Sequence, residues 1–430
     1  MARQMKDSGI EWIGEIPETW EVKKHKYVMH KDKSICEHYN GEDIISLTMG
    51  GVVVRDLDAG GKMPTTFNGY QYVEPGDLLQ CLFDIDVTPR CVGLVKNYGL
   101  TSPAYSRFKV HKGYYNAYYD YLLRYIDDNK VFLHLSKNLR SSLTETDFGQ
   151  IFTIVPQYEE QKRIANYLDQ QCAYIDAVIE KTKASIEEYK KLKQAVITEA
   201  VTKGVRGERP MKDSGIEWIG EIPSDWEIKR LKYVGDTFGK GNGITKEEVF
   251  EDGDTPCVRY GEIYSKYDNS FFECVSATKK DVISSKQYFG HGDLLFAGTG
   301  ELIEEIGKSV VYMGEQECLA GGDIIILKHS QNPVFLNYVV NSSYAQAQKS
   351  CGKTKLKVVH ISATNIGSIL LAVPSMEEQE EIAEYLDAKC GEINRIINAK
   401  QKQIEEVSIL KKSLIYEYVT GKKEVPQSCQ

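Results

Sequence analysis

The sequence lacks the features that mark several large classes of protein. No run of eighteen apolar residues occurs, and no apolar signal-peptide segment follows the charged residues near the start, so neither a transmembrane helix nor a secretory signal is predicted. The ten cysteines form no C-x-x-C pair and no zinc-type spacing with histidine, which argues against a disulfide framework or a structural metal. We therefore expect a cytoplasmic protein with reduced, mostly buried thiols.

Acidic residues are missing from two long stretches, although the chain as a whole is acidic. The formal net charge is −9, which by itself speaks against nucleic acid as a partner. Residues 87–119 and 324–376 contain no Asp or Glu, but both contain several Lys or Arg. Solvated surface is one interpretation of either stretch. Because charge distribution matters more than the sum, a basic stretch in each half favours a surface for a polyanion.

One segment of 24 residues is present twice. Residues 5–28 and 211–234, called the anchor blocks below, are identical at nineteen of their twenty-four positions. Such a match at a spacing of 206 residues cannot arise by chance, so the chain is an internal duplication. The anchor blocks contain all the tryptophans, which are predicted to be core anchors, with ligand binding as the alternative. They are Trp12, Trp20, Trp218 and Trp226.

After the anchor block, each half begins as a mixed α/β domain. Short β-branched segments bounded by Gly or Asp predict strands. They include residues 44–47, 52–54 and 92–95. The sequence Gly-Asp-Leu-Leu, at 76–79 and again at 292–295, predicts a turn that leads into a strand. Residues 116–127 and 334–344 predict a helix in each half.

Both halves end in a long helix with a heptad pattern. After Pro156 and Pro374, an apolar spacing of four and three residues continues for about five heptads. A helix of roughly 45 residues spans almost 70 Å and cannot bury its stripe alone, so the two helices are predicted to pair antiparallel. The predicted seam consists of Leu168, Cys172, Ile175, Ile179, Ile186, Leu386, Cys390, Ile393, Ile397 and Ile404.

The predicted fold class is α+β: two mixed α/β domains separated by a pair of long antiparallel coiled-coil helices, with a pseudo-twofold internal repeat. Polar residues at matching heptad positions, such as Lys193 and Lys411, would set the register of the helices at some cost in stability. The predicted boundaries are 1–157 for the first α/β domain, 158–204 for the first helix, 205–375 for the second domain, 376–421 for the second helix and 422–430 for a tail.

The repeated frame surrounds two α/β inserts that have diverged. The anchor blocks repeat at an offset of 206 residues and the helices at an offset of 218, so the inserts also differ in length. Beyond the Gly-Asp-Leu-Leu turn, the inserts share little sequence. A constant frame around two different inserts suggests that each insert recognises something different, and that the frame sets the distance between them.

The repeated motifs resemble those of the specificity subunits of type I restriction-modification enzymes. The markers are the anchor block, the sequence Pro-x-x-Glu-Glu-Gln-x-x-Ile-Ala at 156–165 and 374–383, and the helices that follow. The resemblance covers the whole chain, in the order target-recognition domain, helix, target-recognition domain, helix. It implies a DNA reader without catalytic activity, in which each domain contacts one half of a split, asymmetric site on double-stranded DNA.

The same resemblance implies partners and cofactors. Two methyltransferase subunits would dock on the helices and methylate adenine with S-adenosylmethionine, and restriction subunits would translocate and cut DNA with ATP and Mg²⁺. No cofactor, metal or catalytic residue is expected in this chain, and no membrane association. The helices would act as a ruler that fixes the unread spacer between the half-sites.

Sequence reading by a protein needs polar side chains on loops that reach the base edges, with phosphate contacts supplying most of the affinity. Basic and polar loops in both domains are therefore candidates for the DNA interface. The predicted DNA-binding residues are Arg90, Lys96, Lys137, Asn138, Arg140 and Ser141 in the first domain, and Lys240, Asn242, Thr245, Lys349, Lys353, Lys355, Lys357 and His360 in the second.

Two other functions remain open at this point. A self-contained DNA methyltransferase would use residues 332–335, which approach the Asn-Pro-Pro-aromatic motif, and the glycine cluster 239–243 as a cofactor loop. However, Val334 replaces the second proline, and the glycine cluster lacks the flanking βα unit. Lys308 and Ser309 imitate a phosphate loop that lacks its first glycine. A coiled-coil scaffold without DNA binding would explain the helices, but it leaves the basic stretches without a role.

Overall fold

The chain folds as a mixture of helices and sheets, in agreement with the predicted class. The computed structural model describes residues 3–58, 64–88, 90–136, 141–280, 287–352 and 359–426. Clustering of contacts gives two compact units: Met1–Thr182 with Lys402–Gln430, called the first unit, and Lys183–Gln401, called the second unit. Within the described residues, no helix is both long and apolar enough to cross a membrane.

The first unit contains an α/β domain followed by the start of a long helix. Its strands are β1 (Met5–Asp7), β2 (Glu15–Pro17), β3 (Glu21–Lys24), β4 (Met29–Lys31), β5 (Ile44–Thr48), β6 (Gly51–Val54), β7 (Gln71–Val73), β8 (Leu78–Gln80), β9 (Val92–Leu94), β10 (Gly99–Thr101), β11 (Ser106–Val110) and β12 (Phe152–Val155). Its helices are α1 (Asn116–Asp128), α2 (Val131–Leu135) and α3 (Glu145–Gln150), and the long helix is α4 (Tyr158–Lys203).

The second unit contains the second α/β domain. Its strands are β13 (Met211–Asp213), β14 (Glu221–Pro223), β15 (Glu227–Arg230), β16 (Gly235–Lys240), β17 (Thr255–Val258), β18 (Ser270–Phe271), β19 (Ser276–Thr278), β20 (Tyr288–Phe289), β21 (Leu294–Ala297), β22 (Thr299–Gly300), β23 (Ser309–Tyr312), β24 (Cys318–Ala320), β25 (Ile324–His329), β26 (Val359–His360) and β27 (Leu370–Val373). Its helices are α5 (Tyr260–Ser265), α6 (Pro333–Val340), α7 (Ser343–Ser350) and α8 (Ala363–Gly367), and the second long helix is α9 (Met376–Val419).

The two α/β domains share the order of their equivalent strands. The first domain has sheets β6-β5-β10-β7 and β4-β11-β8-β9, in which β5 and β10 are parallel and the other pairs antiparallel. The second has sheets β16-β25-β21-β23-β18 and β19-β17-β24-β20, with parallel pairs β18-β23 and β17-β24. In chain order, β16, β17, β19, β20, β21, β23, β24 and β25 correspond to β4–β11, and β18 is added at the edge of one sheet. The inserts have therefore diverged in sequence but keep a common topology.

Most of the predicted elements are present, with one correction. Strands β5, β6 and β9 and helix α1 lie where the sequence predicted them. The single helix predicted for 334–344 is wrong in its extent, because α6 ends at Val340 and α7 begins at Ser343. The chain turns between them, where the hydroxyl of Ser342 caps α7 by accepting a hydrogen bond from the N–H of Ala345 at 3.4 Å.

The anchor blocks fold alike and hold the start of each long helix. In each, a short antiparallel hairpin is followed by a strand, and that strand pairs with the strand that leads into a long helix. β3 pairs with β12 in the first unit, with Val22 opposite Ile154, and β15 pairs with β27 in the second, with Ile228 opposite Ala372. Because β12 and β27 run almost directly into α4 and α9, this pairing fixes where each helix begins.

A tryptophan of each anchor block binds a glutamate in the first turn of the helix. Trp20 is fully buried and its Nε1–H donates to Oε2 of Glu160 at 2.9 Å, while Nη2 of Arg3 donates to Oε1 at 2.7 Å. The second unit repeats the arrangement with Trp226, Glu378 and Arg209, and the indole-to-carboxylate distance there is 3.0 Å.

In both units, the guanidinium carbon of the arginine lies 5.3 Å from the centroid of the indole ring. The motif thus combines a charge-assisted hydrogen bond with a cation–π contact. The core-anchor prediction is confirmed for Trp20 and Trp226. It is wrong for Trp218, which is 47% exposed, and Trp12 is half-buried.

Each buried tryptophan also contacts the chain just beyond the end of the other long helix in its unit. A Cβ atom on Gly421, two residues after α9, would lie 2.8 Å from the Trp20 ring, and one on Gly204, after α4, would lie 3.2 Å from the Trp226 ring. Both glycines have a left-handed φ, +73° and +76°. Close approach and backbone conformation therefore both require glycine at these helix ends.

The glutamine that follows this glutamate in each half holds the α/β domain to the helix. The side chain of Gln161 donates to the carbonyl of Pro156 at 2.8 Å and accepts from the N–H of Tyr115, at the start of α1, at 2.8 Å. Gln379 makes the equivalent bonds to Pro374 and to the N–H of Asn332, at the start of α6. The repeated Glu-Glu-Gln sequence is therefore a joint between three elements.

Within each unit, the segments of the two long helices run antiparallel. In the first unit, the rings of Tyr167 and Tyr418 lie 4.7 Å apart, and the ammonium of Lys411 donates to both oxygens of Asp176 at 2.7 and 2.8 Å. Residue numbers therefore rise along α4 as they fall along α9. In the second unit, Nζ of Lys193 donates to Oδ1 of Asn394 at 3.0 Å, and Lys400 lies over the ring of Tyr189.

Most of the predicted seam residues are buried. Those below 10% exposure are Leu168, Cys172, Ile175, Ile186, Leu386, Cys390, Ile393 and Ile404. Ile179 and Ile397 are half-buried. Some of these side chains do more than face a partner helix: Leu168 and Cys172 belong to the core of the first domain, and Leu386 and Cys390 to that of the second.

The buried carboxylate of Glu378 provides a test of the anchor motif. Replacing Glu378 with Ala removes the acceptor for Trp226 and leaves the charge of Arg209, whose side chain is 14% exposed, without its ion-pair partner. Breaking a buried ion pair costs about 3 to 5 kcal/mol, so we expect a large fall in the midpoint of thermal or urea unfolding.

The neighbouring Glu377 is the matched control, because its side chain is 81% exposed. Glu377→Ala should change the stability by less than about 0.5 kcal/mol, as for other exposed positions. Equal effects of the two substitutions would contradict the anchoring role of Glu378.

Candidate nucleic-acid interface

Three predicted DNA-binding residues of the first domain are described, and they differ in accessibility. Lys96 is exposed, after the end of β9. Arg90 is half-buried, and its charge acts on the buried carboxyl of Asp120. Burial raises the pKa of Asp120, and the charges of Arg124 and Arg90 offset part of that rise. Ser141 has a left-handed φ of +46°, and its carbonyl accepts from the N–H of Ile85. The remaining predictions, Lys137, Asn138 and Arg140, lie outside the described residues.

The acid-free stretch of the first half is not a free basic surface. Arg107 is 2% exposed, and its Nε donates to Oδ2 of Asp77 at 2.6 Å. Nζ of Lys109 lies 3.0 Å from a carboxylate oxygen of Glu74 and 3.3 Å from one of Asp32. The acids come from other parts of the chain, so Arg107 and Lys109 do not contribute free positive charge to the surface although no Asp or Glu lies near them in the sequence.

The second acid-free stretch also loses part of its predicted surface charge. Lys349 is 3% exposed, and its Nζ donates to the carbonyl of Gly307 at 2.8 Å. Its prediction as a DNA contact is therefore wrong, because the last turn of α7 places the side chain inside the domain. Lys353, Lys355 and Lys357 lie outside the described residues. His360 is exposed on β26, with Nδ1 3.0 Å from the hydroxyl of Thr299.

The other predictions for the second domain come together at two adjoining clefts. Lys240 is the last residue of β16, and Asn242 and Thr245 lie on the loop that follows it. Lys240 and Asn242 line the smaller cleft, of about 330 Å³, and Thr245 lines the larger, of about 800 Å³. Lys240 and Thr245 are exposed, and Asn242 is half-buried. This loop is the one predicted DNA-binding segment whose residues the structure describes completely.

Closely packed backbone forms the floor of the clefts. A Cβ atom on Gly241 would lie 2.1 Å from the carbonyl oxygen of Gly321, and one on Gly322 would lie 3.1 Å from Cα of Gly243. The loop after β16 and the loop between β24 and β25 can therefore approach each other only because glycines meet there. The sequence suggested that this glycine cluster is a cofactor loop, which a regular helix should follow. The element that follows β16 is not a regular helix.

The larger cleft is lined by basic and aromatic residues that the sequence did not single out. Lys246, Tyr260 and Lys266 are exposed at its walls, and Arg259 is half-buried. Exposed Asp323, from the opposite loop, is the acidic residue of the rim. Acidic neighbours along the chain, such as the two glutamates after Lys246, hid this group from a search for acid-free stretches. The sequence Arg-Tyr-Gly directly after a buried strand was the available signal.

Comparison with known proteins finds one family that the chain resembles. Residues 223–406 match the family model described as the type I restriction modification DNA specificity domain. The MjaVIII specificity subunit of Methanocaldococcus jannaschii, a type I restriction enzyme, is 27% identical over 281 residues, which are 64% of this chain and 63% of that protein. The chain is therefore similar to type I specificity subunits.

A second relative and a solved structure match over almost the full length of the chain. The putative type I restriction enzyme MjaX specificity subunit of the same organism is 26% identical over 437 residues, or 95% of each chain. The solved structure is described as the structural basis of complex assembly and conformational transition of the type I R-M system. One of its chains matches with a TM-score of 0.68 and 14% identity, covering 95% of this chain and 99% of that one. At this identity, the match shows a shared fold.

The motifs that suggested catalysis have structural roles in this chain. Asn332 and Pro333 begin α6, and Oδ1 of Asn332 accepts from the N–H of Phe335 at 2.9 Å, as in an ordinary helix cap. Ser309 is fully buried in β23, and its hydroxyl donates to Oδ1 of Asn337 at 2.5 Å. Lys308 donates to the carbonyl of Tyr267, and burial lowers its pKa.

The burial of Lys349 predicts a specific dependence of stability on pH. Desolvation lowers the pKa of Lys349 from 10.5 to about 7 in the folded chain. The unfolded state therefore binds more protons between these values, so this residue makes folding increasingly favourable as the pH rises from about 7 towards 10. Below pH 7, its burial as an ammonium destabilises the fold.

We expect Lys349→Met to stabilise the subunit most at pH 6 to 7 and progressively less towards pH 10. Thermal unfolding of both proteins across this range measures the difference. Exposed Lys240, substituted in the same way, is the control and should give no such trend. A difference between Lys349→Met and the parent chain that is constant with pH would contradict the burial of a charged lysine.

Proposed function

We propose that this chain is the subunit that reads the DNA sequence in a type I restriction-modification complex and that it has no catalytic activity of its own. The first α/β domain would contact one half of a bipartite, asymmetric site, and the second α/β domain the other half. The paired helices would fix the length of the unread spacer. The restriction and methylation chemistry would belong to partner subunits.

One observation carries this proposal: an identical frame holds two different domains. The tryptophan, arginine and glutamate of the anchor motif, and the glutamine beside them, make the same contacts in both units. The α/β domains between these contacts share a strand order but little sequence. Two equal supports for two unlike domains suit the reading of two unlike half-sites, since each domain could vary without disturbing the frame.

The proposed partners follow from the same repeat. Two copies of one methyltransferase subunit could each bind an equivalent surface of the frame, which is the geometry that a pseudo-twofold repeat favours. S-adenosylmethionine would be bound by those subunits, and ATP and Mg²⁺ by a restriction subunit. We propose no cofactor for this chain.

The alternatives have weaker support. A self-contained methyltransferase would need a nucleotide loop and an Asn-Pro-Pro-aromatic motif, and the residues that imitate them cap a helix or pack glycine against glycine. Methyl transfer from S-adenosylmethionine to DNA by the purified chain alone would overturn the proposal. A scaffold without DNA binding would leave the basic cleft of the second domain without a role.

Mapping methylated adenines tests both the half-sites and the ruler. Cells carrying the complete system should methylate one bipartite sequence, and cells lacking this chain should not methylate it. A heptad inserted at equivalent positions of both helices, after Thr182 and after Lys400, should lengthen the tolerated spacer by about three base pairs, since seven residues add about 10 Å.

Both half-sites should remain unchanged in the heptad variant, because the reading residues lie in the α/β domains. An insertion of two residues at each position, which rotates the seam by about 200°, is the control and should impair assembly. A heptad variant with altered half-sites would refute the proposed division between reading and spacing.

The acidity of the chain predicts how it binds DNA. With a net charge of −9, the isolated chain should bind DNA weakly, and the complex with methyltransferase subunits should bind tightly. A complex that makes about four phosphate contacts should lose about 100-fold in affinity between roughly 50 and 200 mM salt. Titrations of a fluorescent duplex measure both effects, and tight sequence-specific binding by the isolated chain would contradict this prediction.

A further inference from the structure

We infer that Arg259 reads a guanine base in the half-site recognised by the second domain. This inference rests on the proposed function and assigns it a specific residue and base. The residue directly follows β17 and precedes α5, at the wall of the larger cleft. Neither its charge nor its place in the sequence had indicated a role, because acidic residues surround it along the chain.

The hydrogen bonds of the guanidinium leave the correct edge available. Oε1 of Glu262 accepts from Nε of Arg259 at 3.1 Å and from Nη2 at 3.0 Å, so the carboxylate occupies the side of the guanidinium. Within the described residues, Nη1 donates no hydrogen bond. The five N–H groups of an arginine therefore divide into two that are held by Glu262 and three that remain, of which two, one on each terminal nitrogen, point off the end of the group.

The free end is the edge that guanine requires. In the major groove, guanine presents two acceptors, O6 and N7, and arginine contacts them in a bidentate manner. One N–H from each terminal nitrogen can point at these acceptors while Glu262 still holds Nε. Adenine presents a donor in place of O6, and would face the guanidinium with like groups. The arrangement thus discriminates between the two purines.

Glu262 is itself fixed before any DNA arrives. It is 5% exposed, its Oε2 accepts from the backbone N–H of Arg259 at 2.9 Å, and its Oε1 also accepts from the hydroxyl of Ser276 at 2.6 Å. Glu262 therefore holds the long side chain of Arg259 in one orientation before DNA binds. Such preorganisation lowers the entropy cost of contact and sharpens selectivity.

The surroundings of Arg259 suit the edge of a duplex. Lys246 and Lys266 are exposed along the same cleft, and Tyr260 is 40% exposed beside the arginine. The lysines can contact phosphates, which position the DNA without reading it. Lys240 lies at the adjoining smaller cleft, and Asp323 at the rim of both can accept from an exocyclic amino group.

A purely structural ion pair is the competing interpretation. The Arg259 side chain is 31% exposed, whereas that of Glu262 is 7% exposed, so the pair presents its cationic end outwards. An ion pair that served only packing would gain nothing from leaving three donors at the mouth of a cleft. A phosphate contact would need charge alone, and lysine would serve equally well.

In the first experiment the DNA is modified and the protein is left unchanged. The wild-type chain, assembled with its methyltransferase subunits, is titrated with duplexes in which each guanine of the recognised sequence is replaced in turn by 7-deazaguanine. This base lacks the N7 acceptor but pairs normally with cytosine. We expect one guanine at which the replacement weakens binding about 10-fold or more.

The same titrations with Arg259→Lys assign the contact. Lysine keeps the charge but not the planar fork, so the variant should bind the unmodified site about 5- to 150-fold more weakly and should be insensitive to 7-deazaguanine at that one position. Exposed Arg230, changed to Lys, is the control and should leave the whole profile as in the wild type. Thermal unfolding checks that both variants remain folded.

The outcomes separate this inference from the proposed function. The inference requires one guanine at which 7-deazaguanine weakens binding by the wild type but not by Arg259→Lys. If the recognised sequence has no such guanine, the inference is overturned and the proposed function remains intact. Equal binding and equal specificity of Arg259→Lys and the wild type would do the same. If the assembled wild-type complex prefers no sequence, the proposed function fails, and the inference fails with it.

Discussion

The hydrogen bond from a buried indole to a glutamate in the first turn of a long helix is the interaction on which the frame depends. A carboxylate near the start of a helix is favoured by the helix dipole, and here it also accepts from Trp20 or Trp226 and pairs with an arginine. The same ring contacts a glycine after the end of the other helix. A single side chain thus fixes where one helix starts and where the other stops.

Sharing of the frame between two units explains its tolerance of different inserts. The joints lie at the edges of each α/β domain, in β3 and β12 or β15 and β27, and the sheets between them carry none of the anchor contacts. One contact shows how the copies have diverged. Lys411 forms an ion pair with Asp176 of the facing helix. At the equivalent position, Lys193 donates a hydrogen bond to Asn394 and forms its ion pair with Asp268 of the second domain. The second domain therefore supplies a charge that the helix has lost.

The distribution of charge shows the limit of reading function along a chain. Arg107 and Lys109 lie in a stretch without acids, yet Asp32, Glu74 and Asp77 surround them in the folded domain. Arg259 lies among acids in the sequence, yet it faces a cleft with Lys246 and Lys266. Electrostatic interactions act through space over several ångströms, so neighbours in sequence are poor guides to the potential at a surface.

The sequence by itself determined the duplication, the mixed class of the fold, the two long helices and the resemblance to type I specificity subunits. These depend on local patterns: identity between two segments, heptad spacing, and turn and cap residues whose effect extends over a few positions. Tertiary structure decided the rest. It placed Lys349 in the core and Arg259 at a cleft, because the packing of α7 and the start of α5 depends on contacts between residues tens of positions apart. It also decided that Trp218 is exposed while Trp226, eight residues on, is buried, since only the latter meets the start of a helix.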